Sequence, residues 1–103
     1  MDVAISKNKV PIRLTQERWH HISTGHPEIA DYYFEILETI ENPFCIYEGS
    51  RNECIAVSEK QPQTGKFLVV IYKETEPADG FVITAFISNK QFEFDKKKLL
   101  WKQ

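Results

Sequence analysis

Two cysteines, four glycines and no long apolar run set the first limits on this chain of 103 residues. Cys45 and Cys54 form no Cys-x-x-Cys pattern, and each lies in an apolar, strand-like stretch, so buried thiols are expected rather than a disulfide or a ligand pair. The histidines, His20, His21 and His26, lack the His-x-x-x-His spacing that sets two imidazoles on one helix face, and no metal or other cofactor is expected. There is no Gly-rich phosphate loop and no Gly-x-Ser-x-Gly elbow, which leaves a nucleoside-triphosphate enzyme or a serine hydrolase without support. No stretch approaches the roughly 18 apolar residues of a membrane span. The polar start Met1 to Lys7 has no secretion-type apolar region, so a cytoplasmic location without membrane contact is expected. Internal repeats, low-complexity tracts and linkers are lacking as well.

What is present suffices for one domain over 1–103. The chain is 42% hydrophobic and 13% aromatic, enough for a core without disulfides or metal. Residues 1–9 read as loose and 89–103 as a C-terminal extension. The formal charge of -2 hides a segregation: residues 1–26 carry +2, residues 27–59 carry -7, and residues 60–103 carry +3. A local phosphate-binding surface is therefore compatible with an acidic total.

The stretch from Leu14 to Glu28 holds every histidine between two helix-boundary signals. Thr15 reads as an N-cap, with Leu14 and Trp19 at the hydrophobic-staple positions around it, so a helix is predicted from Gln16. Gly25 is expected to end it in a left-handed conformation and Pro27 to start the next. Trp19 and Ile22 share the buried stripe, and His20 and His21 project to opposite flanks of the polar half. Ile29, Tyr33, Ile36, Leu37 and Ile40 mark one face of a second helix over 27–42, with Glu28, Asp31, Glu35, Glu38 and Glu41 on a solvated acidic face. Asn42-Pro43 stops it. Before the helices, Val10 to Leu14 reads as an extended lead-in that Pro11 confines to an edge.

Four strand-like runs follow: Phe44–Glu48, Glu53–Glu59, Phe67–Lys73 and Phe81–Ser88. Their short connectors favour an antiparallel meander. The expected fold is α+β, with two N-terminal helices packed on one face of a four-stranded antiparallel sheet and Phe67–Tyr72 central. In the fourth run, Phe81, Ile83, Ala85 and Ile87 are expected under the helices, leaving Thr84, Phe86 and Ser88 on the open face. Phe94 to Lys102 is expected as a terminal helical turn.

A helix pair opening with Leu-Thr-x-Glu-Arg-Trp-x-His-Ile, continuing His-Pro-Glu, and followed by an apolar third strand and Val82-Ile83-Thr84-Ala85-Phe86 in the fourth, resembles the BECR superfamily. This superfamily gathers barnase-like, EndoU-like, colicin-type and RelE-like ribonucleases, and the likeness is to its phage-associated and toxin-like small branches. It covers residues 10 to 88. The resemblance implies a metal-independent endoribonuclease in which the ribose 2′-hydroxyl attacks the adjacent phosphorus. RNA is then the implied partner, with an antitoxin or immunity protein for a toxin-like member.

Such a reaction needs a base, an acid and groups that hold the phosphate, and histidine serves either proton role. By motif position, His21 and His26 form the implied proton-transfer pair with His20 as substitute. Arg51 leads as phosphate ligand because a guanidinium grips two oxygens, followed by Arg18, Lys60 and Lys66. Thr84 is a further donor and Phe86 a base-stacking platform. A structural alternative pairs His21 with Glu17 and gives His26 to the helix junction. The competing function is a non-catalytic protein-interaction module on the same fold.

Overall fold

A computed structural model describes residues 1–90 and 94–103. Strands β1 (Asp2–Ile5) and β2 (Pro11–Leu14) form a hairpin, followed by helix α1 (Gln16–Gly25), a 3₁₀ turn (Pro27–Ile29) and helix α2 (Tyr33–Glu41). Strands β3 (Cys45–Glu48), β4 (Cys54–Val57), β5 (Phe67–Glu76), β6 (Asp79–Ser88) and β7 (Leu99–Lys102) complete the chain. All seven strands join one sheet in the order β1-β2-β6-β5-β4-β3-β7. Every neighbouring pair is antiparallel except β2 and β6, which run parallel with Ile12 opposite Gly80 and Arg13 opposite Phe81.

The expected architecture is corrected on three points: the sheet is mixed, it has seven strands rather than four, and a hairpin precedes the helices. The N-terminal residues are not loose. Their strand is short and only Ala4 in it is buried, so no apolar alternation announces it. Pro11 does not confine β2 to an edge. Ser6 donates its N–H to the Val10 carbonyl and the Val10 N–H returns to Ser6 Oγ, so the next pair, Ile5 and Pro11, stands where the ladder needs no N–H from proline. The outward N–H of Ile5 donates instead to Glu41 at 3.2 Å. At the other end, the expected helical turn is confined to a turn at Phe94, whose carbonyl accepts from Lys97, and Leu99–Lys102 pairs with β3.

Helix α1 begins at Gln16, with the Thr15 hydroxyl accepting from the Arg18 N–H at 3.1 Å. Gly25 is not left-handed; the helix ends as His26 donates its N–H to the Ile22 carbonyl. The second helix is not continuous over 27–42. Tyr32, at φ -116° and ψ 22°, separates the 3₁₀ turn from α2. The break sets Tyr33 edge-on to Trp19 at 5.0 Å and lets its hydroxyl donate to Asp2 on β1.

The main core lies between the helices and one sheet face, where Leu14, Ile22, Ile29, Ile36 and Ile40 meet Leu68, Val70, Tyr72 and Val82. A second cluster on the opposite face gathers Cys45, Ile55, Val57, Phe67 and Val69 under Phe94, which stacks on Tyr47 at 5.4 Å. The face expected to be open is thus partly roofed by the C-terminal segment. The two cysteines are free thiols at opposite ends of the β3–β4 hairpin, and burial pushes both thiol pKa values up.

A bulge in β6 corrects the parity of that strand. Thr84 pairs with Ile71 and Val82 with Tyr72, leaving Ile83 as the extra residue. Val82 rather than Ile83 is therefore buried under the helices, while Thr84, Phe86 and Ser88 keep the opposite face. The sheet also curls around α2, since Lys7 from the β1–β2 turn reaches across to lie 4.9 Å above the ring of Trp101 in β7, the opposite edge strand. Among the described residues, no helix is long and apolar enough to cross a membrane.

Candidate functional site

Among the described residues, β2 pairs with β6 only at Gly80 and Phe81, and no other strand lies on that side of β6. Helix α1 and the 3₁₀ turn both pack against β6. This arrangement carries His26, the residue between them, to the rim of the sheet. Its ring meets Phe86 with centroids 5.9 Å apart and planes 35° apart. The His26 Nδ1 is 3.7 Å from Glu28 Oε2, an approach longer than a hydrogen bond. The imidazole is 42% exposed, so solvent and ligand can reach it.

Phe86 is a wall common to two cavities. One, of about 460 Å³, is lined by Lys66, Ser88, Lys90 and Glu28. The other, of about 300 Å³, lies between the β3–β4 turn and the Phe94 roof, with Ser50, Glu53, Ile71 and Lys97 in its lining. The aromatic ring therefore stands between two hollows that each carry lysine and carboxylate, Lys66, Lys90 and Glu28 on one side and Lys97 and Glu53 on the other, with His26 beside it and Thr84 two residues away on the same sheet face.

The remaining sequence candidates lie apart from this arrangement. His20 and His21 are exposed on α1 and line a separate groove with Glu17 and Arg18. Among the described residues no ion pair joins Glu17 to His21. Arg51 is exposed in the β3–β4 turn, where its N–H donates to Glu53 Oε1 at 2.8 Å and its carbonyl accepts from Lys73 Nζ at 3.4 Å. Lys60 is exposed in the β4–β5 loop, and neither Lys60 nor Arg51 lines the two cavities beside Phe86.

Sequence reasoning missed Glu53, Lys90 and Lys97. Glu53 had a signal in Gly49: a Cβ there would lie 1.9 Å from Glu53 Oε1, so the carboxylate folds back over the glycine. The Arg51 N–H, helped by the charges of Lys73 and Arg51, holds the Glu53 carboxyl below the usual carboxylate range. It is thus ionised at neutral pH and able to accept a hydrogen bond. Among the described residues, no three of His, Cys, Asp and Glu converge as a metal-binding group. No protein-family model, curated protein or solved structure matches the chain.

Proposed function

We propose that the sheet face around Phe86 binds single-stranded RNA and cleaves it by attack of the ribose 2′-hydroxyl on the neighbouring phosphorus. The P–O5′ bond breaks, leaving a 2′,3′-cyclic phosphate and a free 5′-hydroxyl. The observation that carries the reading is the contact of His26 with Phe86, an imidazole beside an aromatic ring at an accessible rim, which suits proton transfer next to a stacked base. A base stacked on Phe86 would bring its flanking phosphates toward Lys66 and Lys90 on one side and Lys97 on the other. Thr84 offers a hydroxyl donor on the same face.

In this reading His26 protonates the leaving 5′-oxygen, and Glu53, which lines the hollow on the other side of Phe86, takes the 2′-hydroxyl proton. His21 and His20 lose their place as proton donors because their groove is a different one. Because the attacking oxygen belongs to the substrate, cleavage is expected to persist in excess EDTA. His26→Ala should slow cleavage of a mixed RNA pool by roughly 10² to 10⁴, the usual contribution of one general acid or base. His21→Ala should change it little. Full activity in His26→Ala, or no cleavage of any RNA by the wild-type chain, would sink the reading.

A further inference from the structure

A separate groove runs between α2 and the loop joining β4 to β5, with a volume of about 470 Å³. Its floor is apolar: Leu68 and Ile87 are cross-strand partners, and Tyr32 lies against them at the entrance to α2. Its rim is acidic, with Glu35 and Glu38 on the helix and Glu59 on the loop. Among the described residues, Glu35, Glu38 and Glu59 have no ion-pair partner, and the Glu38 carboxylate accepts from the Asn42 side chain at 3.1 Å. Lys66 is the one cation among the residues that line it. The strongly acidic segment 27–59 thus gathers much of its charge around a hydrophobic hollow of ligand size.

We propose that this groove docks an amphipathic, lysine- and arginine-bearing segment of a protein partner. Apolar side chains of that segment cover Tyr32, Leu68 and Ile87, and its cations meet Glu35, Glu38 and Glu59. The two features select for each other. A nucleic acid is repelled by the rim, an uncharged apolar ligand leaves the carboxylates unpaired, and a polyamine leaves the floor wet. Only a chain carrying both kinds of side chain satisfies floor and rim together. Lys66 and Glu28 line both this groove and the hollow beside Phe86, but the apolar floor and the carboxylates of Glu35, Glu38 and Glu59 take no part in the cleavage reading, so the charge variants test docking separately from it.

The test is fluorescence anisotropy of the full chain with a labelled peptide that has leucines at helical spacing and lysines elsewhere. Binding is expected, and it should weaken about tenfold or more when Glu35 and Glu38 are both changed to Lys, the effect of reversing two surface charges. The same peptide with every leucine replaced by serine should bind about tenfold more weakly again, and spermidine should compete poorly. Glu59→Lys, on the loop, repeats the charge test without touching the helix. Equal binding of the leucine and serine peptides, unchanged affinity in both charge variants, or no binding of the leucine peptide would each overturn the proposal.

Discussion

Two glycines show how differently a missing side chain can be used. At Gly80, a Cβ would lie 2.6 Å from the Lys73 carbonyl oxygen and 2.6 Å from Ile12 Cδ1, at the crossing of β2, β6 and β5. Backbone has nowhere to go there. Gly80→Ala should therefore cost about 1–3 kcal/mol in urea unfolding, the range for an overpacked interior. At Gly49 the obstructing group is the end of the Glu53 side chain, which can swing away. Gly49→Ala should change stability by less than about 0.5 kcal/mol while displacing the carboxylate, so any loss of RNA cleavage would report on Glu53 rather than on folding. A stability loss equal to that of Gly80→Ala would mean that Glu53 is fixed in place. Tyr33 supplies the pH-dependent residue. Its burial, reinforced by the hydrogen bond to Asp2, pushes the phenol up to about 12. The folded chain then favours the protonated phenol, so this contribution is full below the ordinary tyrosine value of about 10 and is lost as pH rises from there through 12. Melting temperatures should fall more steeply over that window in the wild type than in Tyr33→Phe.

Helix α1 was legible because its signals are local. The Thr15 cap, the Leu14–Trp19 staple and the buried Ile22 are all written within one short stretch. Trp19 is only partly buried, however, lying against the main core and edge-on to Tyr33. Trp19→Ala should accordingly cost about 2–3 kcal/mol, below the values of roughly 3–5 kcal/mol for fully enclosed aromatics, as denaturant midpoints would measure. A loss under about 1 kcal/mol would mean that the helix is held by Ile22 alone. The strands that escaped notice are those whose signal is not local. Strand β1 has one buried residue and β7 has none fully buried, so their existence depends on partners far along the chain. The bulge at Ile83 likewise leaves no mark in a run where Phe81, Val82 and Ile83 are consecutive apolar residues, and it decided which face Val82 took. The same limit applies to the site. His26 and Phe86 were both singled out, but their contact depends on β2 leaving β6 early, which no residue spacing announces.

At the scale of the molecule, the uneven charge takes a spatial form. Lys66 and Lys90 line the hollow beside Phe86, and Glu35, Glu38 and Glu59 ring the groove beside α2, with Lys66 standing between the two. If RNA lies across Phe86, each lysine that meets a phosphate releases counterions, and affinity must fall as salt rises. For a single strand the slope of log affinity against log salt is about -0.7 for each phosphate neutralised. The double variant Lys66→Gln with Lys90→Gln should therefore weaken RNA binding at low salt and flatten that slope by about 1.4, twice the single-contact value. Phe86→Ala should act otherwise: it removes stacking worth about 1–3 kcal/mol per base and leaves the slope unchanged, because no counterion is released by an aromatic ring. Binding titrations of a labelled oligonucleotide at several salt concentrations separate the two effects. A slope that stays the same in the lysine variant would place the phosphates elsewhere on the surface, and a slope that changes in Phe86→Ala would mean that the ring positions the backbone rather than a base.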